Sequence, residues 1–292
     1  MGGVFESVAE PMSERCVSEE DPFEFEERFL LTRAQVTRFF ASLARHAAVE
    51  IYDRERPIAY TRTTYLDTDD FAFYRSCDGP IARRLRFREY AMAASLEDAP
   101  ILSSLAVLEL KQIAGTSRSK VRLSATPTVL RRLIERHGEC DDPIALEQQA
   151  ALSVIQQELR HPTMAPRLTT WYRRAAMTAE SGRVRITMDE RLTFCRPQIG
   201  GVIGAEIAPS PGDVFAAGPP RILEIKRWGA RPAWLTRALM GLEQTSDFSK
   251  FRMGMSALGS NLAGRGASAS RLPVSSTGAP AALLTFPGRL SS

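Results

Sequence analysis

Arg84, Arg86 and Arg88 stand two residues apart in the run Arg84-Leu85-Arg86-Phe87-Arg88. At the two-residue period of a β-strand they project from one face, while Leu85 and Phe87 project from the other. The scheme recurs in Leu108-Glu109-Leu110-Lys111, Lys120-Val121-Arg122-Leu123, Arg183-Val184-Arg185-Ile186-Thr187-Met188-Asp189 and Leu223-Glu224-Ile225-Lys226. A single wet face on an antiparallel sheet explains alternation in any one of these strands. It explains the set less well, because like charges along one strand face repel and solvated faces usually mix in Ser, Thr and Gln. The strands therefore predict a closed antiparallel β-barrel, charged within, its apolar faces packed against helices outside. So basic a lumen needs a polyanion. A triphosphate or a longer phosphate chain fits: guanidinium forks grip phosphate oxygens in pairs, and ammonium groups act as mobile point charges.

Acidic residues share these faces. Glu109 and Glu224 precede Lys111 and Lys226 by two residues, Asp189 lies on the face of Arg185, and Glu24 and Glu26 share a face of the first strand. Carboxylates beside phosphate-binding groups suit a hard divalent cation, Mg²⁺ or Mn²⁺. For each one the alternative is an ion pair with the neighbouring base. His46, His137 and His161 fall on expected helices or at their ends, and no nucleophile–base constellation is evident.

The elements that must position these residues can be read along the chain. Strands are expected at Phe23–Leu31, Ile58–Leu66, Arg83–Tyr90, Ala106–Gln112, Ser119–Leu123, Thr169–Met177, Arg183–Met188, Arg191–Cys195 and Arg221–Arg227. Thr32 caps a helix reaching Ala47, Thr126-Pro127 opens another that closes at His137-Gly138, and Asp142-Pro143 starts a third reaching about His161. Shorter helices are expected at Pro232–Leu242 and Asp247–Leu258, and a long hairpin loop over Pro197–Pro220. Residues 1–22 read as a flexible leader, 23–258 as one α+β domain with a helical insertion near 127–162, and 259–292 as a disordered Ser/Gly/Ala/Pro tail.

Composition sets the outer bounds. The 292 residues are 44% hydrophobic and 25% charged, ordinary values for a globular chain, and a net charge of +4 is too small for a general nucleic-acid binder. No stretch approaches the ~18–20 uncharged apolar residues of a membrane span, and no secretory signal is visible. Cys16, Cys77, Cys140 and Cys195 are widely spaced, so free thiols and cytoplasmic residence are expected. The 38 basic residues include only four lysines, Lys111, Lys120, Lys226 and Lys250, and each falls in one of the charged motifs or in the Ser249-Lys250 pair. That placement implies that the compact ammonium is wanted there.

The ordered segments resemble the VTC domain, the polyphosphate polymerase module of the CYTH, or triphosphate tunnel metalloenzyme, superfamily. The resemblance rests on Glu24-x-Glu26-x-Arg28-Phe29, Thr64-Tyr65-Leu66-Asp67-Thr68, Arg84-x-Arg86-x-Arg88-x-Tyr90 and the Glu109 and Lys120 strands. It continues through Tyr172-Arg173-Arg174-Ala175, Arg183-Val184-Arg185-Ile186-x-x-Asp189, Leu223-Glu224-Ile225-Lys226 and Phe248-Ser249-Lys250-Phe251. It implies a tunnel that binds a nucleotide triphosphate and a divalent metal. Phosphates would be held at Arg84, Arg86, Arg88, Lys111, Lys120, Arg174 and Arg185, with Arg28, Arg122 and Lys226 beside them. Ser249 and Lys250 would begin a helix contacting phosphate. Glu224 would hold Mn²⁺ or Mg²⁺, assisted by Glu109, Glu26 and Asp189. The superfamily usually has Lys where this chain has Arg28, a planar fork in place of a flexible ammonium.

The activity so implied is polyphosphate synthesis by transfer of the γ-phosphate of ATP to a growing chain. Two alternatives share the same phosphate clamp: a triphosphatase with water as acceptor, and a non-catalytic polyphosphate-binding subunit. The expected partners are ATP or another triphosphate, polyphosphate and the metal, with no nucleic acid and no membrane span.

Overall fold

The computed structural model describes residues 24–115, 117–197, 213–245 and 248–267, with side chains to residue 260. In chain order the strands are β1 (Phe25–Leu30), β2 (Ala47–Glu50), β3 (Ile58–Asp67), β4 (Ile81–Ala93), β5 (Ile101–Ala114), β6 (Ser117–Ala125), β7 (Ala165–Ala179), β8 (Val184–Cys195), β9 (Val214–Ala217) and β10 (Arg221–Arg227). The α-helices are α1 (Arg33–Leu43), α2 (Ala72–Arg75), α3 (Pro127–Glu135), α4 (Gln149–Leu159), α5 (Ala233–Leu239) and α6 (Lys250–Ala267). The fold is a sheet-rich α+β one.

The strands pair in the order β1-β10-β8-β7-β3-β4-β5-β6, with β2 added on β7 and β9 on β8, and every pairing is antiparallel. Among the described residues β1 and β6 share no ladder, so the expectation of a closed barrel is corrected. The sheet is curled but not hydrogen-bonded shut. Side chains span the seam: Arg118 Nη1 of β6 lies 3.7 Å from Glu26 Oε2 of β1. Farther along, the free edge of β1 is covered by Gln244 and Thr245, the latter donating its amide to Arg28 O at 2.8 Å.

Alternation sets the two surfaces of the sheet. Leu85, Leu108 and Leu123, on neighbouring strands, are each fully buried on the outer face. There α3 contributes Leu130, Leu133 and Ile134, and α4 contributes Ala151, Leu152, Ile155 and Leu159. Burying each such leucine stabilises the fold by roughly 2 kcal/mol. A second apolar cluster joins Phe29, Ile186, Leu223 and Ile225 to Phe39 and Leu43 of α1 and Trp234 and Leu235 of α5. The charged faces are left to line the concave side.

Local sequence explains where the helices begin. Thr32 accepts from the amide of Gln35, and the Gln35 side chain accepts from the Thr32 amide, a reciprocal cap. Thr126 caps α3, with Pro127 in the first turn. The helix expected to reach Ala47 ends at Leu43, because Ala47 already pairs with Ala179 as the start of β2. Arg183–Met188 and Arg191–Cys195, expected as two strands, are one strand, β8; its irregularity is Arg191 at φ 55°. The expected third helix starts as α4 only at Gln149, after a short 3₁₀ turn. Strand β9 lies inside the expected Pro197–Pro220 loop, whose residues 198–212 are outside the described ones. Helix α6 runs past Gly259 to Ala267; the rest of the expected tail, and residues 1–22, lie outside the described residues.

Candidate functional site

The concave face encloses a cavity of about 320 Å³. Its wall brings together all twelve residues expected to bind phosphate, from Arg28 on β1 to Lys250 at the start of α6. Eleven of these are bases, and they face three wall carboxylates, Glu26, Glu109 and Glu224. Every lysine of the chain is on this wall. Asp189, the fourth expected acid, lies behind it.

Register decides which charges meet. Arg86 of β4, Glu109 of β5 and Arg122 of β6 are neighbours across three strands. Arg86 donates to Glu109 Oε1 at 2.5 Å and Arg122 to Oε2 at 3.0 Å. Burial opposes the carboxylate, but Arg86, Arg88 and Arg122 outweigh it and hold Glu109 well below the ordinary carboxylate range. One step along the same strands the row is Arg84, Lys111 and Lys120, three cations side by side with no acid between them. Like charges directly opposite each other destabilise a sheet. Among the described residues Arg84, Arg88 and Lys111 form no ion pair. Burial, then Arg86, Lys226, Arg84 and Arg118, push the Lys111 ammonium down to about 8. The buried Nε atoms of Arg84, Arg86 and Arg185 have no hydrogen-bond partner. Orphaned donors in a cationic wall are what an anion site requires before its anion arrives.

The other side of the cavity is built from β1, β7, β8 and β10. Arg174 grips Asp189 with two parallel bonds of 2.7 and 2.8 Å, and Lys250 adds a third at 2.6 Å. Burial opposes the Asp189 carboxylate, yet Arg174 and Lys250 lower its pKa. Glu224 Oε2 accepts from Arg28 Nε at 3.1 Å, and Arg28 also contacts Glu26. Against its burial, Arg28, Lys250, Arg174 and Lys226 bring Glu224 down to about 2. Lys226 Nζ lies 3.9 Å from Glu26, which is thus surrounded by Arg28, Arg118 and Lys226. Ser249 caps α6, accepting from the amide of Arg252 at 3.4 Å, and so sets the helix N-terminus and Lys250 at the cavity wall.

The four expected metal-binding acids therefore occupy three places. Glu109 and Asp189 are each saturated by two basic side chains, and no group of three acidic, histidine or cysteine ligands forms among the described residues. Glu224 bonds Arg28 alone among the described residues, which leaves its carboxylate the least committed of the four and the one whose chemistry best suits a hard cation; Glu26, on the adjacent strand, already faces Arg28, Arg118 and Lys226. Mg²⁺ commonly takes one or two protein carboxylates and completes its shell with water and substrate phosphate.

The residue pattern alone did not single out Tyr65, Tyr172, Thr187 or Phe248 as wall residues. Tyr172 is the most telling of these: its buried ring faces both Lys250 Nζ, 4.8 Å from the centroid, and the Arg174 guanidinium, at 5.2 Å. Burial would raise its hydroxyl pKa, but Arg174 and Arg88 lower it. The signal available in the sequence was its place two residues before Arg174 on one strand face. The three histidines are not on the wall; His46 stacks on Trp234 at 5.0 Å. Cys77, Cys140 and Cys195 are free thiols, and Cys16 lies outside the described residues.

Comparison with known proteins adds a family. The model of the VTC domain matches residues 23–259. No curated protein matches the chain. Among solved structures, a provisionally named adenylate cyclase from Bacillus halodurans aligns at 15% identity and a TM-score of 0.44, covering 79% of this chain and 96% of its own. The PH1819 protein of Pyrococcus horikoshii aligns at 11% identity and a TM-score of 0.39, covering 79% and 97%. Likenesses this distant carry no weight for the function. No helix among the described residues is long and apolar enough to cross a membrane.

Proposed function

Because the chain belongs to the VTC domain family, we propose that it is a metal-dependent phosphotransferase that extends polyphosphate from ATP. The observation that carries this reading is the Arg84–Lys111–Lys120 row, three adjacent cations with no intervening acid in a cavity walled by bases. Like charges directly opposite each other repel, and the negative charge of a phosphate chain lying across the row relieves that repulsion. In the proposed reaction a terminal oxygen of the chain attacks the γ-phosphorus of ATP. The bond to the β,γ-bridging oxygen breaks and ADP leaves.

Phosphoryl transfer of this kind asks mainly for positioning and charge neutralisation. Arg84, Lys111 and Lys120 would grip one stretch of phosphate. Arg174, Lys250 and the capped start of α6 would hold another, kept in place by Asp189. Arg86 and Arg122 are positioned by Glu109, which fixes their forks. Glu26 and Glu224 would hold Mn²⁺ or Mg²⁺, an ion that neutralises charge on phosphate oxygens when bound. No covalent nucleophile is required.

Purified protein incubated with ATP and Mn²⁺ tests the reading. Polyphosphate that lengthens with time, with ADP released in step, is the expected product. Orthophosphate without chain growth would replace the polymerase by a triphosphatase; tight polyphosphate binding with no turnover would leave a binding subunit.

A further inference from the structure

Thr187 sits on the inner face of β8, between Arg185 and Asp189 at the two-residue spacing. It lines the cavity, is only 5% exposed, and its Oγ1 has no hydrogen-bond partner. Other buried threonine hydroxyls are used: Thr64 and Thr169 bond each other at 3.0 Å, and Thr170 donates to Thr63 O at 3.4 Å. Through its side chain, Thr187 bonds neither of its cross-strand neighbours. Its neighbour on β7 is Ala176, which offers no polar side-chain atom, and its neighbour on β10 is Glu224, whose Oε2 is already held by Arg28.

A buried hydroxyl with no partner costs stability unless something in the site satisfies it. The branch at Cβ restricts its rotamers, so the group is held in place beforehand. Its neighbours in the wall are mostly cations, which donate to every oxygen of a phosphate alike. A neutral hydroxyl can contact a phosphate oxygen without adding charge next to Glu224.

We infer that Thr187 is a further substrate-contacting residue, its hydroxyl donating to a phosphate oxygen lodged beside Glu224. This rests on the phosphate-binding reading of the cavity and deepens it by naming a neutral contact among the charged ones. Inorganic tripolyphosphate, titrated calorimetrically without metal, is the probe. Thr187→Val keeps the shape and removes the hydroxyl; it should weaken binding about tenfold. Thr187→Ser should bind within about threefold of the unaltered protein. The melting temperature of unliganded Thr187→Val should hold or rise, since an unsatisfied group is lost; a hydroxyl with a structural role would lower it. Unchanged tripolyphosphate affinity in Thr187→Val, or a fall in its melting temperature, overturns the inference. If the unaltered protein fails to bind tripolyphosphate, the reading of the cavity falls first. Loss of binding in Lys111→Ala, with binding by the unaltered protein, shows that the cavity reading stands independently of Thr187.

Discussion

At the scale of single residues, the cavity separates bases that are neutralised from bases that are not. Glu109 and its two arginines are a closed unit, so Glu109→Gln leaves Arg86 and Arg122 without their counter-charge. Breaking such a buried pair costs about 3 kcal/mol, which urea denaturation should register. The depressed Glu109 carboxyl also gives this stability a pH sense. It is present above the ordinary carboxylate range and is lost as acid protonates the folded form. Lys111 behaves oppositely. Its folded value of about 8 lies below the free lysine value of 10.5, so its buried charge weighs on the fold below pH 8. That cost is relieved as pH rises from about 8 to 10.5, where the unfolded chain binds more protons. A phosphate chain favours the ammonium form. Tripolyphosphate affinity should therefore fall as pH passes through about 8. Lys111→Arg should bind less well at neutral pH yet lose that inflection, because arginine stays charged; an inflection unchanged by the substitution would assign it to another group.

At the scale of elements, α6 connects packing to chemistry. Phe251 is buried against Tyr65 and Tyr74, and one turn onward Gly254 lets the helix approach β7 and β8 closely. A Cβ at Gly254 would meet Leu168 Cδ2 at 2.5 Å and Phe194 Cδ1 at 2.7 Å. Both neighbours are fully buried and have little room to move. Gly254→Ala should therefore destabilise the protein by about 1–2 kcal/mol despite the better helix propensity of alanine. It should also weaken tripolyphosphate binding, because Ser249 and Lys250 ride on the same helix; calorimetry and a thermal melt together test this. An alanine variant with unchanged melting and binding would show that α6 can shift without consequence.

Much of the inner surface was legible because alternation is a local property. Arg84, Arg86 and Arg88 had to share a face once the segment was a strand, and the apolar residues between them had to share the other. Closure was not legible, since it depends on whether β1 and β6 pair, a long-range fact that no two-residue pattern encodes. The pairing of charges was hidden for the same reason. Nothing local says that Glu109 meets Arg86 and Arg122 while Lys111 meets two cations; register alone fixes that. β2 and β9, four residues each, carry too short a pattern to be seen. Thr187 stayed unnoticed because a threonine between charged residues looks like ordinary strand filler until its partners are known.

At the scale of the whole molecule, the arrangement inverts the usual sheet. The curved face that would ordinarily pack a core is charged, and the helices bury the outer one. The fold bears this because several acids pin selected bases, leaving Arg84, Arg88 and Lys111 without ion pairs among the described residues. A bound phosphate chain should thus stabilise the protein by an amount that grows with the logarithm of its concentration above Kd, about 2.7 kcal/mol at a hundredfold excess, and the gain should shrink with added salt. The most direct test is a crystal structure of the protein with a non-hydrolysable ATP analogue and Mn²⁺. The triphosphate is expected inside the curved sheet, across Arg84, Lys111 and Lys120, with the metal at Glu26 and Glu224. A triphosphate bound outside that cavity would overturn the assignment of the site.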